Sequence, residues 1–488
     1  MIRRSAGIVL HPTSLPGPGA IGELGSEAVR FLDWAAAAGQ SIWQVLPLGP
    51  TGPGNSPYSG ISARAGNPLL IATEGTRSGA SSRDRVDYAA ASREKDASLR
   101  ASWVAARSHG RTMKELAAFR DEPRQSDWLE DWALFAALKR SRGGAPWIEW
   151  APELSRRDPA ALEHARNSLR DEIDYQAYLQ FLFFRQWDRV REEARERGIA
   201  ILGDLPIYPA LDSADVWAAP GLFRLGEDLR PTEVAGVPPD YFSEAGQLWG
   251  NPLYRWDRIE ADGFRWWIRR LRAELEKFDL LRLDHFRGFA SYWSVPAGAT
   301  SAVAGHWEAG PGMKLFRALR AELGELPLIA EDLGIIGDDV RTLVHETGLP
   351  GMRVMQFGFD SPDSEHAPAR FPEHCVAYTG THDNDTSRGW YEKATEEERK
   401  RALEAIGVGE SAGPDEVVRG MIRALYESRA EQVIVPVQDV LALGSEARMN
   451  TPSVAEGNWV FRLGEGALTL EVAERLKAAG MSAKRHSA

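Results

Sequence analysis

The sequence predicts an α/β fold, a (β/α)8 TIM barrel with large insertions after strands 2 and 3. Eight short apolar runs recur along the chain, and segments with helical spacing of apolar residues separate most of them. Several of these runs end abruptly in charged residues. Strands that alternate with helices form parallel sheets, and a closed barrel gathers the carboxyl ends of its strands at one rim. A doubly wound open sheet would also hold eight strands, but it would spread the charged residues along an edge.

Composition limits the class of protein before any element is placed. The chain has 488 residues, a net charge of -12 and 43% hydrophobic residues, which is ordinary for a globular protein. The acidic balance disfavours nucleic acid as a partner, because phosphate binding depends on Lys and Arg. No apolar run reaches the ~18 residues that a membrane helix needs. Cys375 is the single cysteine, so we expect no disulfides, no membrane contact and a cytoplasmic location.

The predicted elements divide the chain into barrel segments and insertions. Strands are expected at residues 7–10, 41–46, 199–202, 280–283, 326–330, 352–359, 376–379 and 433–437. Strands 1 and 2 fall within residues 1–50, strand 3 within 171–207, and strands 4 to 8 within 259–480. The remaining segments are interpreted as a mostly helical insertion over 51–170, a loop-rich insertion that covers the active site over 208–258, and a disordered tail over 481–488.

Three predicted helices lead into strands 2, 3 and 4. Residues 23–38, 172–198 and 264–278 place apolar side chains on one helical face. Gly39 can adopt the left-handed conformation that ends the first of these helices. The alternation of helix and strand that a parallel barrel requires is therefore present in the sequence.

One glycine motif suggests a different function. Residues 17–22 spell G-x-G-x-x-G after a strand and before a helix, which is the context of a dinucleotide-binding loop. Pro18 removes a backbone N–H from the phosphate cradle, and Gln40 and Gln44 stand where an acidic residue would bind a ribose. We therefore interpret these glycines as part of a loop at the barrel mouth.

Carboxylates follow five of the predicted strands. Asp204 ends the third strand, Asp284 the fourth and Glu331 the fifth, while Asp383 follows the seventh and Asp439 the eighth. A single strand-end Asp can simply cap the next helix, and for Asp284 alone that interpretation is equally good. The recurrence favours a catalytic rim, because a barrel presents its functional residues from the ends of several strands.

These carboxylates suit the cleavage of a glycosidic bond. One ionised acid can attack the sugar while a protonated acid donates to the leaving oxygen. Arg282 would keep Asp284 ionised, crowding and desolvation would keep Glu331 protonated, and Asp383 would accept hydrogen bonds from ring hydroxyls. A divalent metal site for phosphoryl or isomerase chemistry stays open as the alternative, since carboxylates and His382 are also metal ligands.

The sequence resembles the amylomaltases, the 4-α-glucanotransferases of the α-amylase clan that are also called disproportionating enzymes. The similarity extends over essentially the whole chain and rests on many collinear motifs. These motifs are His11-Pro12-Thr13-Ser14-Leu15-Pro16-Gly17, Trp43-Gln44-Val45-Leu46-Pro47-Leu48-Gly49, Ser56-Pro57-Tyr58, Gly203-Asp204-Leu205-Pro206-Ile207, Gly236-Val237-Pro238-Pro239-Asp240-Tyr241-Phe242, Leu280-Leu281-Arg282-Leu283-Asp284-His285-Phe286-Arg287-Gly288, Ala330-Glu331-Asp332-Leu333-Gly334, Thr381-His382-Asp383-Asn384-Asp385-Thr386 and Gly457-Asn458-Trp459.

The resemblance implies a retaining double displacement on α-1,4-glucans. By it, Asp284 is the nucleophile, Glu331 the acid/base and Asp383 the residue that stabilises the transition state. The glucan would pass to the 4-hydroxyl of another glucan or of glucose, with cyclisation as a possible further outcome, and we expect no cofactor and no metal ion. The substrate contacts that the resemblance implies are Arg282, His382, Tyr58, Asp204 and Asn458, and, in or after a loop that covers bound glucan, Pro239, Asp240, Tyr241, Phe242, Gln247 and Trp249.

Two other functions are compatible with the same barrel. One is an α-1,4-glucan hydrolase of the same clan, and the other is a barrel that binds glycan or a partner without catalysis. The presence of all three acids counts against the second. Pro53 stands where some members of the family carry an aromatic residue of a secondary glucan site, so the resemblance does not extend that site to this chain. We place no motif of the family in residues 78–110.

Overall fold

The computed structural model describes residues 4–73, 84–239 and 244–485. Its strands form two sheets, one of eight parallel strands and one of four antiparallel strands. In chain order the strands are β1 Ser5–Val9, β2 Ile42–Gln44, β3 Ala200–Leu205, β4 Glu233–Val237, β5 Gln247–Pro252, β6 Leu280–Leu283, β7 Ser291–Pro296, β8 His306–Ala309, β9 Leu328–Ala330, β10 Gly351–Val354, β11 Cys375–Tyr378 and β12 Gln432–Pro436.

The eight parallel strands form the predicted TIM barrel. Their order is β10-β11-β12-β1-β2-β3-β6-β9, so that each strand lies beside the next barrel strand in the chain. Between β9 and β10, the Ala330 N–H donates to the Pro350 carbonyl at 2.9 Å, and the Met352 N–H donates to Asp332 at 2.6 Å. Strands β1 and β11 are buried at every residue, which explains their continuous apolar sequence. The fold class predicted from the sequence is confirmed.

All eight predicted barrel strands are present, but the prediction for the sixth strand is wrong after Val354. There the chain enters a 3-10 helix, Met355–Phe359, whose side chains are mostly buried. A short buried apolar run does not distinguish a strand from a helical turn by composition alone. The third strand is longer than predicted, since β3 continues to Leu205 and so contains Asp204.

Helices surround the barrel and form the insertion beside it. In the described part of the chain they are α1 Ser26–Ala37, α2 Tyr88–Arg107, α3 Gly110–Asp121, α4 Leu129–Ser141, α5 Pro152–Ser155, α6 Pro159–Ser168, α7 Arg170–Glu196, α8 Ala214–Ala218, α9 Trp256–Ala261, α10 Arg265–Lys277, α11 Arg287–Ala290, α12 Met313–Leu323, α13 Asp338–Thr347, α14 Ser387–Lys393, α15 Glu396–Ile406, α16 Pro414–Glu427, α17 Val437–Val440 and α18 Leu470–Ser482. None of these helices is long and apolar enough to cross a membrane.

The predicted helices over 23–38, 172–198 and 264–278 correspond to α1, α7 and α10. Gly39, at φ +70°, has the left-handed conformation expected after α1. Residues 51–170 contain α2 to α6, and aromatic contacts join this insertion to α7. The Trp103 ring lies 5.2 Å from the Tyr178 ring, and the Arg100 guanidinium lies 3.6 Å from the centre of Tyr175. The insertion therefore shares its packing with a barrel helix.

A four-stranded antiparallel sheet lies beside the barrel and was not predicted. Its strand order is β5-β4-β7-β8, which joins the insertion over 208–258 to residues 291–309. The register places Gly236 opposite Leu248 on one side and Trp293 on the other, and Trp293 opposite Trp307. The segment interpreted as loop-rich thus contains two strands of a sheet.

The chain near the C-terminus is ordered, contrary to the predicted tail over 481–488. Helix α18 continues to Ser482, and Arg485 is only 1% exposed. The Arg485 guanidinium donates to the carbonyls of Tyr426, Ser428 and Ala430. These bonds fix the chain to the barrel as far as residue 485, and residues 486–488 lie outside the described part of the structure.

The glycine-rich loop over 17–22 presents carbonyl oxygens to a cation. Arg462 donates to the carbonyls of Leu15, Gly17 and Gly19 at 2.6 to 3.1 Å. A phosphate cradle needs backbone N–H donors instead. The geometry therefore argues against a dinucleotide-binding loop, and the interpretation as a mouth loop stays a prediction.

Candidate active site

Six of the predicted functional residues lie at the carboxyl-terminal ends of the barrel strands. Asp204 lies in β3, Arg282 in β6 and Asp284 directly after β6, while Glu331 follows β9 and the His382–Asp383 pair follows β11. Parallel strands of a barrel all end at the same rim, so residues far apart in sequence converge there.

An ion pair across two adjacent strands orients Asp284. Residues Asp204 and Arg282 are opposed in the register of β3 and β6, and Arg282 donates to Asp204 Oδ2 through Nε at 2.9 Å and Nη2 at 2.6 Å. The same Nη2 donates to Asp284 Oδ1 at 3.1 Å, and the Tyr58 hydroxyl donates to Asp204 Oδ2 at 2.7 Å. The side chains of Asp204 and Arg282 are 0% and 4% exposed, whereas that of Asp284 is 28% exposed. Asp284 is therefore the most exposed of these three charged side chains, and the other two are buried.

Two backbone N–H groups hold Glu331. His285 donates to Oε2 at 2.7 Å and Leu333 donates to Oε1 at 2.9 Å. His285 adopts a left-handed backbone conformation at φ +52°, which aims its N–H at the carboxyl group instead of continuing the β6 direction. Sequence reasoning gave His285 no role, and the motif itself does not reveal this backbone contact.

The electrostatic environments of the two central acids differ in a useful way. Burial raises the pKa of Asp284 above its ordinary value, and the charge of Arg282 opposes this rise while Asp204 and Asp383 add to it. Burial also raises the pKa of Glu331, and the charge of Asp284 adds to that rise. Since Arg282 donates directly to Asp284, Asp284 is the more easily ionised of the two acids and Glu331 the more readily protonated. The predicted hydrogen bond from Arg282 to Asp284 is present, although burial raises the pKa of Asp284 by more than the Arg282 charge lowers it.

His382 and Asp383 form the opposite wall. The His382 ring stacks on Tyr58 with ring centres 5.0 Å apart and planes 10° apart, and Trp459 lies 6.0 Å from it. Burial lowers the pKa of His382, which keeps its ring neutral near pH 7. Asp383 is half exposed and accepts a hydrogen bond from Asn450 at 2.6 Å. Asn450 and Trp459 were missed by sequence reasoning; Trp459 follows the predicted Asn458.

A buried carboxylate clamps both ends of the loop that carries His382 and Asp383. Asp439, 1% exposed in the short helix α17 that follows the eighth barrel strand, accepts hydrogen bonds from the Thr379 and Ser387 hydroxyls, each at 2.6 Å. The Ser387 N–H adds a third bond at 2.7 Å. Thr379 and Ser387 flank the loop, so Asp439 fixes its span. Sequence reasoning noted the carboxylate after this strand but assigned it no role.

The covering loop is described only in part. Asp240, Tyr241 and Phe242 lie outside the described residues. Beyond them, β5 presents Trp249, which is 38% exposed, with its ring 4.7 Å from the His285 ring, and the Trp249 indole donates to Gln247 at 3.1 Å. Trp249 therefore contacts the residue whose backbone N–H binds Glu331, and its predicted contact with substrate stays a prediction.

Asn458 makes its hydrogen bonds within its own loop. Its side-chain oxygen accepts from the Thr451 N–H at 2.8 Å, and its amide nitrogen donates to the Val454 carbonyl at 2.8 Å. These bonds shape the loop that brings Trp459 against Tyr58, with ring centres 5.9 Å apart. The substrate contact predicted for Asn458 stays a prediction.

A parallel barrel whose rim carries paired, buried carboxyl groups is typical of enzymes that act on glycosidic bonds. Comparison with known proteins identifies the particular family: the chain belongs to the 4-alpha-glucanotransferase family of glycoside hydrolase family 77, whose model matches residues 10–468. The chain is accordingly a transglycosylating enzyme with 4-α-glucanotransferase activity.

Relatives of known sequence and structure agree with this assignment. The chain is 48% identical to the 4-alpha-glucanotransferase of Thermus thermophilus, with 99% of both chains covered, and 46% identical to that of Aquifex aeolicus, with 95% of this chain and 96% of the relative covered. An amylomaltase from Streptococcus agalactiae in complex with acarbose superposes with a TM-score of 0.96 at 36% identity, covering 99% of this chain and 100% of that structure.

Proposed function

We propose that the enzyme cuts an α-1,4-glucan by a double displacement in which Asp284 is the nucleophile and Glu331 the acid/base. The observation that carries this assignment is the different way in which the two acids are held. Asp284 accepts a hydrogen bond from the Arg282 guanidinium, which favours its ionised form, whereas desolvation and the neighbouring charge of Asp284 raise the pKa of Glu331 and favour its protonated form. The first acid is thus suited to attack as an anion and the second to donate a proton.

In the first half-reaction, an Asp284 oxygen attacks the anomeric carbon of the donor. The bond from that carbon to the glycosidic oxygen breaks, and the Glu331 carboxyl group gives its proton to the leaving oxygen. The non-reducing part of the glucan is then covalently bound to Asp284. Asp383 accepts hydrogen bonds from ring hydroxyls and stabilises the distorted sugar, and Asn450 holds its carboxylate in place.

In the second half-reaction, the 4-hydroxyl of another glucan or of glucose enters beside Glu331. The Glu331 carboxylate takes the hydroxyl proton, the hydroxyl oxygen attacks the anomeric carbon, and the bond to Asp284 breaks with its electron pair returning to the carboxylate. The same steps within one chain would close a cyclic glucan. Transfer depends on excluding water while the acceptor arrives, a role that suits Trp249 and the chain segment preceding it. We also propose a cytoplasmic location, which the single cysteine favours.

The contacts of the rim acids also address the metal alternative. Asp284 and Glu331 accept hydrogen bonds from a guanidinium and from backbone N–H groups, which are donors that a bound cation would have to displace. In the described chain, the acids and histidines close enough to share an ion are Glu233, His306 and Glu308, on the four-stranded antiparallel sheet. Arg224 already binds both of those carboxylates. The glycosidic chemistry therefore fits the rim better than metal chemistry.

Maltotriose as sole substrate tests transfer against hydrolysis. Longer maltodextrins together with glucose are expected, whereas products no longer than maltotriose would contradict transfer and favour the hydrolase.

The covalent step has a separate test that uses α-maltosyl fluoride with Glu331→Gln. Fluoride leaves without a proton, so this variant should form the glycosyl-enzyme and then hydrolyse it slowly, which leaves a maltosyl adduct on the peptide containing Asp284. Asp284→Asn is the matched control and should show no adduct. An adduct on another residue, or none in either variant, would refute the assignment of Asp284.

A further inference from the structure

An exposed tryptophan on the four-stranded antiparallel sheet packs against Arg287, three residues after Asp284. Trp307 in β8 is 40% exposed. The Arg287 guanidinium lies 3.8 Å from the centre of its ring, and the Trp293 ring meets it edge-on at 5.0 Å. The Trp293 indole in turn donates to the Ala302 carbonyl at 2.8 Å. A ring fixed by these contacts loses little conformational entropy when a ligand stacks on it.

Arg287 connects this ring to both catalytic acids through the backbone. It stands three residues after Asp284 on the segment that also contains His285, and its Nη1 donates to the carbonyl of Ile335, on the segment that leaves Glu331. Its Nη2 donates to Ser291 at 3.2 Å. The chain segments that follow Asp284 and Glu331 therefore both contact or contain Arg287, whose guanidinium lies against Trp307.

The side chains around this point form an apolar surface that the barrel core does not cover. Ile335 is 46% exposed, and Leu248, directly before Trp249, is 41% exposed. Leu248, Trp293 and Trp307 occupy opposed positions in the sheet register, so they point to the same face, and Gly236 between Leu248 and Trp293 adds no side chain. An exposed apolar surface of this kind is typical of a binding surface.

We infer that Trp307, together with Arg287 and Ile335, binds the reducing-end part of a glucan several glucose units from the cleaved bond. The inference rests on the proposed function. Glu331 protonates the leaving oxygen, so the leaving chain extends on the Glu331 side, where Ile335 and Trp307 lie. The apolar faces of glucose rings stack on aromatic rings, and an uncharged polymer suits a surface whose cation is already covered by an indole.

The test compares donors of different length. Trp307→Ala is expected to raise the KM for maltoheptaose by roughly threefold to tenfold, the range given by loss of one aromatic stacking contact, while kcat and the KM for maltotriose stay unchanged. Trp307→Phe should restore most of the affinity. Leu470→Ala, which removes an exposed apolar side chain of α18, is the matched control and should change neither KM. Unchanged maltotriose turnover also shows that each variant is folded.

Three results would overturn the inference. One is an unchanged KM for both donors, and another is an equal rise for both, which would place the effect in the cleft itself. The third is a fall in sedimentation mass of Trp307→Ala relative to the wild type, which would identify the surface as a contact between copies of the chain. Failure of the proposed function would look different, because the wild-type enzyme would then convert neither donor into longer products.

Discussion

Replacing Asp204 by Asn should shift the pH dependence of the enzyme without touching the reacting acids. Asp204 and Asp284 both bind Nη2 of Arg282, at 2.6 and 3.1 Å, which places the two carboxylate oxygens within ~6 Å of each other. At an effective dielectric constant of about 20, two charges at this distance repel each other by ~3 kcal/mol. This corresponds to about two pKa units.

The sign of the shift follows from the charge that is removed. The negative charge of Asp204 raises the pKa of Asp284, so its loss lowers that pKa. The nucleophile must be ionised to attack, and the acid limb of kcat/KM should move to lower pH by about one to two units. The same substitution breaks a fully buried ion pair and should cost about 3 to 5 kcal/mol of unfolding free energy.

The assay is the pH profile of kcat/KM with maltotriose, together with a urea unfolding curve at pH 7. Tyr58→Phe is the matched control, because it removes a hydrogen bond to Asp204 and leaves every charge in place. Its acid limb should stay close to that of the wild type. An acid limb that stays fixed in Asp204→Asn, or moves to higher pH, would refute the assignment of the limb to Asp284.

The same contacts predict the behaviour of other variants. Asp284→Asn keeps an acceptor for the Arg282 guanidinium. Burial raises the folded-state pKa of Asp284, so the stabilising contribution of the Asp284 carboxyl group is lost as pH rises. The unfolding free energy of the variant should therefore exceed that of the wild type by about 1 kcal/mol at pH 8 and equal it near pH 3. Glu331→Gln replaces a carboxyl oxygen that accepts from a backbone N–H by an amide NH2 group that cannot accept, so the variant should not gain stability in the same unfolding experiment. A gain equal to that of Asp284→Asn would contradict the bonds described. Asp439→Asn loosens the loop clamp and should lower kcat and cost about 1 to 3 kcal/mol in urea, whereas unchanged values would argue against a clamp. Asn450→Ala should lower kcat roughly tenfold with an unchanged melting midpoint, because Asp383 is half exposed; a fall of several degrees would show a structural role instead.

The barrel and its acids were predictable because their signals are local. Most residues of each barrel strand are buried, and the carboxylates of β3, β6 and β9 stand at or directly after the strand ends. The antiparallel sheet gave no such signal. Its strand β4 pairs with β7, more than fifty residues away, and three of the four β8 residues are exposed, so no apolar run marks that strand.

The parts of the site that sequence reasoning missed depend on backbone conformation and on distant partners. The His285 N–H reaches Glu331 only because His285 is left-handed, a conformation that few residues other than glycine adopt. Asn450 meets Asp383 across two loops, and a lone Asn carries no chemical signature. Asp439 did carry the strand-end signal of the catalytic acids, yet its partners Thr379 and Ser387 show that it holds a loop. Position at a strand end thus indicates the rim but does not separate a positioning acid from a reacting one.

Between β9 and β10, the residues that can occupy positions 332 and 351 depend on each other. The Asp332 carboxylate fills the place of a backbone acceptor there, bonding to the Met352 N–H at 2.6 Å. A Cβ at position 351 would stand only 2.5 Å from the Asp332 carboxylate, so any residue larger than glycine there would have to displace the acid from its bond to Met352. Replacement of Gly351 would therefore favour simultaneous loss of Asp332, and replacement of Asp332 would free position 351 to vary. Related sequences should show these two sites changing together, next to the proposed acid/base Glu331, which should stay unchanged.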